Sequence, residues 1–248
     1  MTGLLRAGVW LLAILVVWQA AVFLFEPPHY ILPGPGRVAH RLIADYPLLL
    51  RHGGITLTEI CLGLLLGTAL GMSTALVMRL FPAAQQLIQP VLIVSQALPV
   101  FAIAPLLVLW FGYGLGSKVA MTTLIIYFPV ASSLHDGLGR TEPGLIDLAR
   151  LWHADRFQQI ALFRLPSAVP ALISGMRVAV TVAPIGAVVG EWVGASSGLG
   201  FLMLRASSRF QTDQVFASLF VLAVIGLVLR SGFDLAVSRY AAWVVETP

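Results

Sequence analysis

The chain has 248 residues, 58% of them hydrophobic and 10% charged, with a formal net charge of +4 and a mean hydropathy of +0.92. An average soluble domain carries about a quarter charged residues, and a soluble fold of this length needs charge where it meets water, so an ordinary soluble enzyme is excluded and lipid is the main solvent. Disorder falls by the same arithmetic, a disulfide framework falls because Cys61 is the one cysteine, and nucleic-acid binding falls because Lys118 and the arginines are scattered singly.

A membrane-spanning helix needs roughly 20 mostly apolar residues, and long stretches free of Asp, Glu, Lys and Arg mark the candidates. The first runs from Ala7 to Phe25. No small-x-small cleavage site precedes Glu26-Pro27-Pro28, so it reads as a retained signal anchor. The loop from Glu26 to Ile55 is rich in proline and glycine up to Gly36. Val38 to Leu50 then places Leu42, Ile43 and Tyr46 at helical spacing, an amphipathic stretch expected on the outer membrane surface. His29, His40 and His52 lack the paired spacing of a zinc site and are expected at the surface.

A second span is expected near 57–78, where Gly63, Gly67 and Gly71 form a small-xxx-small face for close helix approach. Glu59, at its outer end, is expected to face head groups or pair with an arginine. The 38-residue gap from Leu80 to Ser117 offers turn material only near its ends. One long, proline-broken span near 87–111 is therefore expected. Ser95 and Gln96 sit midway along it, and Pro99 and Pro105 remove helix hydrogen bonds. A bend at Gln96-Ala97-Leu98-Pro99 either turns toward a translocation pathway or serves packing.

A fourth span is expected near 119–135, a fifth near 168–190 and a sixth near 214–233. In the fifth, Arg177 and Glu191 are 14 residues apart, about 21 Å along a straight helix and within about 40° of one face. Ionisable residues at membrane depth usually face a bundle interior or a cavity. Arg177 is near enough to the inner surface to snorkel. Glu191, beside Trp192, either touches the pathway or its outer gate, or sits at the outer interface with Trp192 as a belt aromatic. The whole is expected to be an all-α membrane protein of six transmembrane helices, one domain over 1–248.

The longest polar stretch between spans, Thr141 to Pro166, reads as two short helices and a turn. Pro143 suits a first helical turn, and Leu145, Leu148 and Trp152 make one apolar stripe. Asp155 followed by Gln158 is a capping box for a second helix, Arg156 to Phe163, expected to stop at Leu165-Pro166. This hairpin is either a docking surface or an interfacial element resting on lipid head groups. Six spans put both termini on one side, and nine arginines against six basic residues lean that side toward the cytoplasm.

The run Asp147-Leu148-Ala149, then His153, then Phe163-Arg164-Leu165-Pro166 resembles the Glu-Ala-Ala loop of bacterial ABC importer permeases, with matching spacing. Asp147 stands for Glu, His153 for the turn Gly and Phe163 for Ile. Only glycine enters positive φ freely, and histidine tolerates it better than most residues, so the shape of this turn is the point of departure. Ile31-Leu32-Pro33-Gly34-Pro35, the stretch Trp110 to Lys118, and Gly198-Leu199-Gly200-Phe201 are similar to the same family.

The resemblance implies an ABC importer permease fold with cytoplasmic coupling helices, in a bacterial inner membrane, with both termini cytoplasmic. It implies a second copy of the chain, two copies of an ATPase subunit, and a periplasmic or lipid-anchored solute-binding protein. Asp147, Leu148, Ala149, Trp152, His153, Phe157, Leu165 and Pro166 are then the ATPase-coupling residues. Gln96, Pro99, Glu191 and Trp192 are the candidates for the pathway.

No Gly-x4-Gly-Lys-Ser/Thr phosphate loop occurs in the chain. No cofactor is expected on it, and ATP and Mg are expected on the partner ATPase. An intramembrane enzyme is the rival reading, disfavoured because no paired catalytic residues occur at membrane depth. An ATP-independent carrier is the other, separated by whether an ATPase subunit co-purifies. Ala183 to Gly194 followed by Gly198 to Leu204 is similar to permeases for pyrimidine precursors of thiamine, with sulfonate, taurine and nitrate permeases sharing the general pattern. A pathway Glu191 would repel an anion and tolerate an aminopyrimidine stacked near Trp192.

Overall fold

The computed structural model describes residues 2–97 and 99–240. Among them every regular element is helical: α1 Thr2–Phe25, α2 Pro35–Ala44, α3 Tyr46–Leu80, α4 Pro82–Ala97, α5 Val100–Phe111, α6 Leu115–Gly139, α7 Pro143–Leu151, α8 Arg156–Gln158, a π-helical turn Gln159–Arg164, α9 Leu165–Gly194, α10 Leu199–Ser207 and α11 Thr212–Tyr240. Five helices are long and apolar enough to cross a membrane, and the bent pair α4 and α5 makes a sixth if taken as one span.

The core is a three-helix seam in which α6 lies between α3 and α9. Both flanking helices offer it glycines. A methyl group at Gly67 would come within 2.7 Å of Ile126 Cγ2, and one at Gly71 within 3.0 Å of the Tyr127 carbonyl. From the other side, a methyl at Gly186 would come within 2.9 Å of Thr122 Cα, and one at Gly190 within 3.0 Å of Lys118 Cα. In lipid, where burial of apolar surface drives helix association weakly, such close backbone approach supplies the van der Waals contact that holds helices together. Ile60, Ile126, Val130, Ala179, Ala183 and Ala187 fill this seam. By contrast α1 buries none of its apolar window in the chain, and its Trp18 stacks on Phe216 of α11 at 5.4 Å.

Several boundaries differ from the sequence reading. The helix that carries the second span starts well before residue 57: α3 begins at Tyr46 and runs 35 residues, about 52 Å, longer than the ~30 Å hydrocarbon core. Pro47 sits in its first turn, where a missing N–H costs no helix bond. The amphipathic stretch of the first loop is divided between two helices: α2 buries Val38 against Leu49, Leu199 and Leu202 and leaves Ile43 exposed, while Tyr46, also exposed, opens α3.

The third span is broken where its bend is expected, and more sharply than a proline kink. Pro82–Ser95 and Val100–Phe111 meet at 107°, with the break in the segment that ends at Pro99, which has extended backbone and caps α5. Finally, the helix after Asp155 does not stop at Leu165-Pro166. Residues Arg156–Gly194 form one helical run of 39 residues, because the wider π turn just before Pro166 accommodates a residue that cannot donate to the preceding turn.

Candidate functional site

Two places concentrate polar chemistry: the α7–α8 hairpin, and a buried cluster at the opposite end of the seam. In the hairpin, Pro143 opens α7 and Trp152 closes it. His153 then takes φ +50, the left-handed conformation that the glycine of the resembling pattern would adopt without strain. Its N–H still donates to the Arg150 carbonyl at 3.0 Å. Asp155 forms the expected capping box, accepting from Gln158 N–H at 2.8 Å while its own N–H donates to Gln158 Oε1 at 2.9 Å. The hairpin is tied down by Ala149 and Ile160, both buried, and by Arg164, which donates to the Leu138 carbonyl at 3.1 Å.

What the hairpin leaves exposed is apolar. Trp152 is 70% exposed and Phe157 68%, with Leu148 and Leu151 beside them. Trp152 is braced edge-on by Phe163 at 6.3 Å. Asp147 is also exposed and pairs with Arg150 at 3.0 Å, a surface ion pair of little energetic weight. Leu165 and Pro166 lie at the start of α9, below the hairpin. Of the eight residues expected in this surface, Ala149 alone is fully buried, as part of its foundation.

At the far end, α10 presents four backbone N–H groups in its first turn, the groups that any helix leaves without an internal partner. Each finds a side chain. Gly198 N–H donates to His52 Nδ1 at 2.9 Å, Leu199 N–H to Thr56 Oγ1 at 2.9 Å, and Gly200 and Phe201 N–H both to Glu191 Oε2. Thr56 in turn donates to Glu191 Oε1 at 2.6 Å. The four amides of α10 are thus capped by α3 and α9 rather than by its own sequence. Gly198 has φ +108, and a methyl there would strike the Glu191 carboxyl, so the approach requires glycine.

Glu59 and Lys118 complete the cluster. Glu59 is 1% exposed, and its carboxyl lies within electrostatic reach of both Glu191 and Lys118. Lys118 Nζ donates to the carbonyls of Tyr113, Gly114 and Gly194 at 2.6, 2.7 and 3.3 Å. It staples the α5–α6 turn to the end of α9.

These positions correct three expectations. His52 and Glu59 are buried rather than at the surface, and Glu191 is 1% exposed, its oxygens occupied by α3 and α10. Arg177, 14 residues before Glu191, lies outside this cluster. Arg177 pairs with Asp234 at 3.0 Å, and Asp234 also holds Arg230 at 2.8 Å, joining α9 to α11. Trp192, next to the buried carboxyl, is 44% exposed. Pro99 is exposed at the α4–α5 break, where an apolar groove runs between Val100, Phe101, Ile185 and Val189. The side chain of Gln96 lies outside the described residues. Trp192 and Pro99 are thus each exposed, whereas Glu191 is enclosed by α3 and α10.

Residues 67–244 match the family of binding-protein-dependent transport system inner membrane components. The chain is 48% identical over 227 residues to a probable ABC transporter permease protein of Haemophilus influenzae, covering 92% of this chain and 93% of that one. It is 36% identical to the formylaminopyrimidine transport permease protein ThiX of Halalkalibacterium halodurans, over 90% of each chain. It is 37% identical to the riboflavin transport system permease protein RibX of Chloroflexus aurantiacus, over 88% of this chain and 82% of that one. Among solved structures, the inward-facing MetNI methionine ABC transporter superposes with a TM-score of 0.69 at 18% identity, covering 79% of this chain and 97% of that one, a likeness of fold.

Proposed function

The chain belongs to the family of binding-protein-dependent transport system inner membrane components, the permease subunits of ABC importers, and on that premise we propose that it passes a pyrimidine precursor of thiamine from an external binding protein to the cytoplasm. Membership implies an ATPase partner and a solute-binding partner. In the proposed assembly two copies of this chain enclose one pathway and two ATPase subunits, which carry ATP and Mg, dock on the hairpins. Both termini and the hairpin then face the cytoplasm.

The observation that carries the coupling role is the cluster of Leu148, Leu151, Trp152 and Phe157 exposed on a hairpin that is itself held rigid. Large aromatic side chains on an otherwise charged surface are the residues that dominate interface energetics when a partner covers them. The hairpin is continuous with the 39-residue helical run Arg156–Gly194. Closure of the ATPase dimer would tilt that run, and its far end holds α10 through Glu191. The pathway is proposed along the exposed Pro99 and Trp192 side of the α4–α5 bend.

The preference for a pyrimidine rests on relatives, since an internal Glu191 no longer repels anions from a pathway. Two relatives above one-third identity are named for planar nitrogen heterocycles. The test is reconstitution of the importer with its ATPase and binding protein. Trp152→Ala is expected to leave membrane insertion and basal ATP hydrolysis in place while uptake is lost, and normal uptake in that variant would overturn the coupling role. Uptake of labelled formylaminopyrimidine is expected, and uptake of taurine in its place would overturn the substrate reading.

A further inference from the structure

A cavity of about 250 Å³ lies between the last turn of α3, the start of α4 and the π-helical turn. Three arginines converge on it, Arg79 from α3, Arg156 from α8 and Arg164 from the π turn, and no aspartate or glutamate lines it. Gln85 and Gln159 add amide groups to the wall. Among the described residues neither Arg79 nor Arg156 has a hydrogen-bond or ion-pair partner. Arg164 spends one nitrogen on the Leu138 carbonyl, which leaves the rest of its fork free.

Arginines scattered along a membrane boundary satisfy the charge bias of cytoplasmic loops. Convergence on one cavity is a different matter, because like charges brought together repel unless an anion sits between them. Planar guanidinium forks are suited to phosphate oxygens, which accept two parallel N–H bonds from each.

We propose that this cavity binds the phosphate of an acidic phospholipid head group. Its location supports a lipid source. Arg79 ends a membrane-spanning helix, the exposed Phe81 and Pro82 follow it, and the site therefore lies at the depth where acyl chains give way to head groups. Its size also fits, being below the roughly 300–1,000 Å³ of pockets that enclose whole drug-sized ligands. Basic pockets between spans on the cytoplasmic side are the usual seats of anionic head groups. A bound lipid would fasten the base of the hairpin to α3, because Arg156 belongs to the first element and Arg79 to the second. The proposal rests on the hairpin reading only for the leaflet it faces.

The test is native mass spectrometry of the full chain purified in uncharged detergent and titrated with phosphatidylglycerol, with phosphatidylcholine, or with inorganic phosphate. Selective retention of one phosphatidylglycerol per chain is expected. The double variant Arg79→Gln with Arg156→Gln is expected to weaken it on the order of tenfold, whereas Arg156→Lys with Arg79→Lys, which keeps the charge, retains selectivity for the acidic lipid.

Equal retention of both lipids, or an unchanged preference in the glutamine variant, would overturn the assignment. So would inorganic phosphate binding as well as the lipid, which makes the ligand a free anion. Loss of ATPase co-purification in the glutamine variant with lipid retention intact would likewise overturn it, by giving the arginines to the partner protein. Trp152→Ala separates the two readings, since failure of docking there leaves lipid retention untouched.

Discussion

Thr56 and Glu191, 135 positions apart in the chain, meet through a hydrogen bond of 2.6 Å, and between them they accept three of the four leading N–H groups of α10. This pair joins α3 to α9 and holds a third helix by its backbone. Each group in it is buried, so each has water removed as an alternative partner and depends on the others.

Removal of the Thr56 hydroxyl should therefore cost more than one hydrogen bond. Thr56→Val keeps the shape and leaves Leu199 N–H and one Glu191 oxygen without a partner, at about 1–3 kcal/mol for each orphaned group. A lowered thermal midpoint of the purified chain is expected, with Thr56→Ser close to wild type. Equal midpoints for the Val and Ser variants would show that the hydroxyl contributes nothing.

Glu191→Ala exposes the Gly200 and Phe201 amides. Hydrogen exchange at those two positions is expected to accelerate on the order of tenfold or more, while exchange within α6 stays unchanged. Glu191→Gln retains a carbonyl oxygen and should fall between the two.

Gly198→Ala places a side chain both at φ +108 and against the Glu191 carboxyl. Backbone strain of this kind costs on the order of 1–3 kcal/mol, before any displacement of the carboxyl. The expected result is a lower thermal midpoint, with faster amide exchange confined to α10. Wild-type exchange in this variant would mean that α10 can shift freely.

His153 tests the hairpin turn. At φ +50 a glycine is relaxed and a β-branched residue is not. His153→Gly should keep uptake and raise the hairpin's resistance to proteolysis or leave it unaltered, whereas His153→Val should make the hairpin more susceptible and reduce uptake. Identical behaviour of the two variants would argue that the imidazole, not the backbone, matters at this position.

Five of the spans and the hairpin were legible in the sequence because both are local signals. Charge-free stretches mark spans, and Asp155 with Gln158 marks a capping box within four residues. The far-end cluster was not legible, since His52 and Thr56 meet the α10 amides across more than 140 positions. Glu59 and Glu191 read as boundary residues because each sits near the edge of an apolar run, and only the packing of α3 on α9 turns those edges inward. One local hint was available: Gly198 and Gly200 bracket the start of α10, and glycines there admit a carboxyl close to the backbone. Asp234, the partner of Arg177, lies 57 positions away on α11, beyond the reach of helical periodicity. Pro166 misled because a proline usually ends a helix, and a π turn was not foreseen.

The seam of α3, α6 and α9 leaves no slack. Where Gly67 meets Ile126 and Gly186 meets Thr122, there is no room between the helices even for one methyl group, so packing this close couples each helix to its neighbour. A tilt of the Arg156–Gly194 run would therefore carry all three helices as one body past α1, which buries nothing of its apolar window, and past the sharp α4–α5 corner. The three central helices would then act as a single lever, with the hairpin at one end and α10 at the other.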